Sequence, residues 1–445
     1  MSTLPLVYAF RPKMQLPMKT IRIVARSVVL VLVSLVPATR LHAAADFADF
    51  ARRAEAGQRL NVVFFGASLT WGANATDPQL TSYRARIGQR LEQAYPKAHF
   101  TFWDAAIGGT NSQLGVFRLQ RDVVRRKPDL VFLDFSANDD IYSAGPETLA
   151  SYEALVRRIL TEVRAPVVQV IFPFRWNVAQ QKTDGMLRRD AHLAISRAYH
   201  TAVGDAIALA QQRVRDGRTT LARLWPVDGV HPCDAGYELF ADAAWDAFRG
   251  AVRSGLVCTV PEKMLYASTY MKSARVPLAS LGSLPAGWRV GKPNVVSAYF
   301  DMLMSRWLDD VAIVGAADED GKPVRPAPLN VRFSGSMLLL FGESTPTSGK
   351  FRVILDGKLV PRKSPDGKQT FPEFDAAAFA KLLNGNAYLV QVLAEELDPA
   401  VEHTLRIEPI LADGGGQELR IESLCVAGGE ARVTLANAAA AEAGK

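Results

Sequence analysis

Four apolar, strand-like runs recur through the first half of the chain, at 61–65, 99–103, 130–135 and 167–172, with helix-like stretches between them. One such stretch places Tyr83, Ile87 and Leu91 at i, i+4 and i+8. Another puts Tyr152, Leu155, Val156, Ile159 and Leu160 on one face. Strands that alternate with amphipathic helices predict a parallel sheet covered on both sides. Such sheets bind ligands beyond the carboxyl ends of their strands. The pattern runs from about 46 to 255. The chain has 445 residues, too many for one ordinary core, so a second domain is expected.

After about 256 the pattern changes. A Pro- and Gly-spaced segment, "RVPLASLGSLPAGWRVGKPN", reads as connection, so 256–292 is expected to be linker. Short β-like runs follow: "NVRFSGSMLLLF", "KFRVILDGKLV", "AYLVQVLAEEL", "EHTLRIEPIL" and "QELRIESLCVA". Asp356-Gly357 between apolar runs is a hairpin signal. These features predict an all-β sandwich of jelly-roll type over 293–432. The end, from 433 to 445, is low in complexity and expected to be a disordered tail.

The formal net charge is +7, but residues 1–45 hold six Lys or Arg and no Asp or Glu. The remainder is therefore close to neutral, which removes the main support for a nucleic-acid partner. From Met18, the better candidate initiator, a basic segment leads into an uncharged apolar run over 27–39 and then Ala43 to Ala45. That is the pattern of a secretory signal, with an uncleaved anchor as the alternative. The run is short of the roughly 20 residues that span a bilayer, so no stable membrane span is expected once the signal is removed. The expected location is exported, periplasmic or extracellular. Of three cysteines, Cys233 and Cys258 are the favoured disulfide pair, against three free thiols including Cys425. No Cys/His spacing suggests a metal site.

The first strand ends in "FFGASLTWG", where Ser68 follows small residues at the strand's carboxyl end. A serine nucleophile needs a base, an orienter for that base and donors for an oxyanion. Beyond residue 45 the histidines are His99, His192, His200, His231 and His403. His192 and His200 fall on a helical pattern and His403 in a β run. His231 lies in "LWPVDGVHPCDAGYELF", three residues after Asp228, where a turn lets the carboxylate reach its Nδ1. "DAAIGGTNS" follows the second strand, and Gly109 there allows close approach of a backbone N–H. "DLVFLDFSANDD" ends the third strand with Asn138, an amide able to donate.

In that order these four segments resemble the SGNH/GDSL hydrolase family, whose blocks carry Ser, Gly, Asn and His. The match covers about 58–250 and implies an α/β domain with a flavodoxin-like, three-layer parallel sheet. It implies Ser68, Asp228 and His231 as catalytic residues and the Ser68 and Gly109 N–H groups with Asn138 as oxyanion donors. Two positions depart from the family: Gly-Ala-Ser stands for Gly-Asp-Ser, placing Ala67 before the serine, and Ser136 replaces a glycine of the Asn block.

The expected function is an exported serine esterase acting on small acyl esters of carbohydrate, with acylated small molecules or polysaccharides as partners and no cofactor or metal. The alternatives are a lipolytic esterase or thioesterase with the same triad, and an inactive glycan-binding protein. Trp71, Arg175, Trp176 and Trp225 are expected to line the substrate path, because aromatic faces with polar neighbours suit sugar rings. Deletion from about residue 260, provided the remainder stays folded, is expected to spare small soluble esters.

Overall fold

Val62 to Phe65 form the middle of strand β1 (Arg59–Gly66) and are essentially inaccessible, as a strand covered on both faces requires. The computed structural model describes residues 45–294, 308–317, 322, 325–364, 367–412 and 416–436. The expected secretory signal lies outside these residues, and no described helix is long and apolar enough to cross a membrane. Strands β2 (His99–Ala106), β3 (Leu130–Leu133), β4 (Val167–Ile171) and β5 (Ala202–Asp205) join β1 in a five-stranded parallel sheet, ordered β2-β1-β3-β4-β5. β5 was not anticipated, because Ala-Val-Gly-Asp is too short and too small to show a period.

Of the helices α1 (Phe47–Glu55), α2 (Ser68–Trp71), α3 (Tyr83–Ala94), α4 (Ser112–Asp122) and α5 (Pro146–Arg158), α3 carries the first periodic stretch, and α5 with the π-helical turn Ile159–Val163 after it carries the second. α1 and α3 pack with the long helix Asp234–Ser254, while α4 packs with α5, and α5 with helix Leu187–Tyr199. Right-handed crossovers in this strand order put the two groups on opposite faces of the sheet. The register pairs Gly66 with Ala106 and Phe65 with Leu133. The carboxyl ends of β2, β1 and β3 therefore sit side by side, and the Gly, Ser and Asn segments leave the sheet together.

The described residues of the second half form two large antiparallel sheets and a two-stranded one, Arg362–Lys363 with Thr370–Phe371. The first runs in the order Ala387–Ala394, Met337–Ser344, Glu418–Ala427, Val311–Gly315, Trp288–Gly291, with Ser273–Pro277 also paired to Glu418–Ala427. The second runs Lys358–Val360, Lys350–Leu355, Glu402–Ile410, Leu329–Ser334, Arg432–Leu435. Leu338, Leu340 and Leu424 of the first face Val331, Val353 and Ile407 of the second in one core. Asp356 and Gly357 form the expected hairpin turn, both at positive φ (49° and 76°), as a type I′ turn requires.

The other face of the first sheet is also covered. Met337, Leu339, Phe341, Tyr388 and Cys425 join the apolar core of the α/β half, which includes Leu114 and Phe117. Strand side chains alternate between faces, so Met337–Ser344 is buried at every position.

Three expectations are corrected. Part of the segment expected to be linker, 256–292, is sheet: Ser273–Pro277 and Trp288–Gly291 are strands. The expected tail begins as strand Arg432–Leu435, paired with Leu329–Ser334. All three cysteines are free. Cys233 caps one end of the 21-residue helix Asp234–Ser254 and Cys258 lies past the other. At about 1.5 Å per residue that helix is roughly 30 Å long. A disulfide needs Cα atoms within about 7 Å. Short separation in sequence is thus undone by a straight rod.

Candidate active site

Ser68 is the first residue of α2, directly after β1, so its N–H is among the donors a helix start leaves without an intrahelical partner. Its side chain is buried, and its Oγ lies 3.0 Å from His231 Nε2. His231 precedes helix Asp234–Ser254 and is held by a tight turn. Asp228 Oδ1 accepts from the N–H groups of His231 (2.6 Å) and Val230 (2.7 Å). Asp228 Oδ2 lies 3.4 Å from His231 Nδ1, a long contact of the kind that tightens when substrate binds. The other histidines lie elsewhere. His192 is fully buried and stacked on Tyr152, and His403 is bonded to Asp356 in the sandwich.

The loop after α2 is fastened to the histidine segment at several points. Asn74 Nδ2 donates to Asp228 Oδ2 at 2.8 Å, Tyr237 Oη donates to Ala73 O at 2.6 Å, and Asp234 Oδ1 accepts from Thr76 N and Thr81 Oγ1, both at 2.8 Å. Asn74 is at φ 65°, a conformation asparagine tolerates better than most residues. Sequence reasoning missed Asn74. Its only signal is that an Asn follows the short small-residue turn Gly72-Ala73.

Electrostatics favour a neutral imidazole beside an ionised carboxylate. Burial lowers the His231 pKa below its ordinary 6.5, with the Asp228 carboxylate opposing that shift. For Asp228, burial acts to raise the pKa. The His231 and Val230 N–H groups and the Asn74 amide outweigh it and hold the carboxyl below its ordinary value. Neutral His231 can then take a proton from Ser68, and the ionised Asp228 faces the imidazolium that results.

Gly109 is exposed at φ 70°, and Gly108 just before it is buried. Asn138 is half-buried in the turn after β3, and its side chain makes no hydrogen bond among the described residues. Next to it, Asp139 Oδ1 accepts from Ser112 N at 2.9 Å, joining the Asn138 turn to the start of α4 just after Gly109. Arg118 of α4, fully buried, donates to Gly66 O and Ala105 O, at 2.8 and 2.7 Å. It thereby holds together the strand ends that lead to Ser68 and Gly109.

The two positions that depart from the family resemblance, Ala67 and Ser136, are both fully buried. Ala67 is buried and carries no carboxylate. Asp134, equally buried at the end of β3, accepts from Ser136 Oγ at 3.2 Å and from Thr70 Oγ1, on the serine's own helix, at 3.3 Å. Ser136 Oγ in turn accepts from Phe172 N at 2.9 Å. A hydroxyl at 136 therefore has a place in this packing. Burial raises the Asp134 pKa to about 7, with the Ser136 bonds acting against it.

The four residues expected to line the substrate path divide. Trp176 is 47% exposed and its ring packs on Gly229, beside Asp228. Arg175 is exposed, and its N–H donates to Gly229 O at 2.8 Å. Trp71 and Trp225 are instead buried, at 6% and 1% exposure, with neither indole N–H bonded. Trp225 packs on Phe240 in the α/β core, and Trp71 against Ala73 and Ala106. A ring so placed shows no face to a ligand, which corrects that expectation for both. Among the described residues no group of His, Cys, Asp and Glu side chains has the arrangement of a metal site.

Residues 64–239 match the model of the GDSL-like lipase/acylhydrolase family. No curated protein matches the chain by sequence. Among solved structures, the chain is similar to a two-domain esterase active on acetylated mannans, co-crystallised with mannopentaose. The identity is 22% and the TM-score 0.64, over 86% of this chain and 95% of that one. An acetylxylan esterase from Geobacillus stearothermophilus matches over 42% of this chain and 94% of its own, at 21% identity and a TM-score of 0.36. The first similarity shows that the two-part fold, parallel α/β followed by antiparallel β, is shared.

Proposed function

We propose that this carboxylic ester hydrolase, whose residues 64–239 match the GDSL-like lipase/acylhydrolase family, is an exported serine esterase removing small acyl groups, acetyl foremost, from carbohydrate. The observation that carries this reading is the 3.0 Å approach of Ser68 Oγ to His231 Nε2, with Asp228 behind the imidazole. Ser68 Oγ attacks the ester carbonyl as His231 Nε2 takes its proton. The oxyanion is met by the N–H groups of Ser68 and Gly109 and by the Asn138 amide. Imidazolium returns the proton to the leaving sugar hydroxyl. Water, deprotonated by the same nitrogen, then attacks the acyl-serine; the acyl–Oγ bond breaks, the imidazolium returns the proton to Ser68 Oγ, and the acid is released.

Support for carbohydrate comes from two sides. The fold is shared with an esterase active on acetylated mannans. Trp176 also exposes part of its aromatic ring beside the Asp228 turn, a surface that suits a sugar ring. Support for export is the basic, then apolar, then small-residue order of the leader.

The test is a substrate panel on purified full-length protein, comparing aryl acetate, aryl octanoate and acetylated polysaccharides. Acetyl esters should exceed octanoyl esters in kcat/KM, and acetate should be released from polysaccharide. Preference for the long chain would replace the deacetylase reading with a lipolytic one. Ser68→Ala should be inactive on all substrates and should escape fluorophosphonate labelling. Wild-type turnover by that variant would remove Ser68 from the mechanism.

A further inference from the structure

The peptide that joins Gly108 to Gly109 is gripped from the second half of the chain. Tyr388 lies in strand Ala387–Ala394, is 5% exposed, and its hydroxyl donates to Gly108 O at 2.7 Å. Phe379 packs against the Tyr388 ring, with centroids 4.8 Å apart. A Cβ placed on Gly109 would come within 2.4 Å of the Tyr388 hydroxyl and 3.7 Å of Phe379 Cζ. Glycine at 109 is thus required both by its φ of 70° and by the tyrosine above it.

We infer that Tyr388 is a positioning residue that aims the oxyanion-binding N–H of Gly109 by holding the Gly108 carbonyl, so that the β-sandwich is part of the esterase's working parts. The inference rests on the proposed esterase reading of the site. A trans peptide is planar, and its C=O and N–H point in opposite directions. Gly108 O and the Gly109 N–H are the two ends of one such plane. Fixing the oxygen fixes the line along which the N–H points. A donor on the carbonyl also polarises the peptide, which strengthens the N–H at its far end. Preorganised donors of this kind act on the transition state more than on bound substrate.

The rest of the loop is already held from the α/β side. Thr110 Oγ1 donates to Ile107 O at 2.7 Å, and Asp139 receives Ser112 N. Neither contact touches the Gly108–Gly109 plane. A second tie from the β half flanks it: Gln113 Nε2, on the first turn of α4, donates to Glu395 Oε1 at 2.8 Å. The sandwich therefore reaches the loop at its glycine turn and again at the helix that follows.

The experiment compares full-length wild type, Tyr388→Phe, Gly109→Ala and Ser68→Ala on an aryl acetate, together with the affinity of a boronic acid, which mimics the tetrahedral oxyanion. Tyr388→Phe keeps the ring and loses the donor. kcat should fall about 2- to 10-fold, the worth of one hydrogen bond. KM should stay within about two-fold, as expected when an interaction serves only the transition state. Boronate affinity should fall in step with kcat while the thermal midpoint holds, a pairing that a merely structural role would not produce. Wild-type kcat in folded Tyr388→Phe, or a loss confined to KM or to thermal stability, would overturn the inference. Should that variant fail to fold, Gly109→Ala replaces it. Its Cβ must displace the hydroxyl, so kcat should fall with KM held, and a wild-type kcat there overturns the inference too. Ser68→Ala separates the two levels. Turnover by Ser68→Ala overturns the reading of the site and this inference with it. Inactive Ser68→Ala alongside wild-type kcat in Tyr388→Phe overturns the inference alone.

Discussion

Asn74 Nδ2 lies 2.8 Å from Asp228 Oδ2, the same oxygen that faces His231 Nδ1. The loop that follows Ser68 therefore also holds the carboxylate that faces His231. Two segments more than 150 residues apart in sequence are joined by a contact with a direct chemical use.

Asn74→Ala should lower kcat by about 10-fold, the low end for a hydrogen bond to a charged group. The low end applies because the Asp228 side chain is 40% exposed and water can take the vacated position. The Asp228 pKa should rise as its donor is lost. Steady-state kinetics on an aryl acetate checks the rate, and unchanged kcat would show that the turn at 228–231 needs no help from the nucleophile loop.

The pH profile should carry the signature of a buried imidazole. In its proposed role as base His231 must be neutral, so the acid limb of kcat/KM should follow its pKa in the free enzyme. Burial puts that limb below 6.5. The Asp228 carboxylate raises the pKa against burial. Asp228→Asn should therefore move the limb still lower while reducing the plateau rate. A limb that moves upward in this variant would contradict the assignment of Asp228 as the facing charge.

Asn138→Ala should reduce kcat by about 10²- to 10³-fold with little change in KM, the usual consequence of losing one oxyanion donor. The Asn138 amide has no hydrogen bond within the described protein, so its removal should leave the thermal midpoint nearly unchanged. A large drop in stability with normal kcat would make it a structural residue.

Removal of residues from about 260 onward should yield insoluble or unfolded protein rather than an active small-ester hydrolase. Met337, Leu339, Phe341 and Tyr388 are part of the core that contains Leu114 and Phe117, and cutting them away exposes a large contiguous apolar patch. Circular dichroism and aryl-acetate turnover of the truncated chain decide the matter. A folded, fully active fragment would show that the two halves are independent.

Much of the catalytic half was legible in the sequence because its signals are local. Val62–Phe65, Val131–Leu133 and Val167–Ile171 are apolar runs bounded by turns. Tyr83, Ile87 and Leu91 mark a helix by spacing alone, and Ser68, Gly109, Asn138, Asp228 and His231 stand at strand ends or in a turn whose residue types suit their chemistry. Even the hairpin at Asp356-Gly357 follows from which residues tolerate positive φ. What only the tertiary structure decided depends on which side of an element a residue faces and on what arrives from far away. Trp71 and Trp176 are the same residue type in similar loop-flanked positions, yet one is buried and the other exposed. Cys233 and Cys258 are near in sequence but held at opposite ends of a rigid helix. The run Met337–Phe341 carried a clue, since unbroken apolar residues in an antiparallel sheet imply that both faces are covered. The partner on its second face is the α/β core, and Tyr388 reaches Gly108 across 280 residues. Short-range steric and periodic preferences are written into each segment. The pairing of surfaces is set by the free energy of burying them together, which no single segment carries.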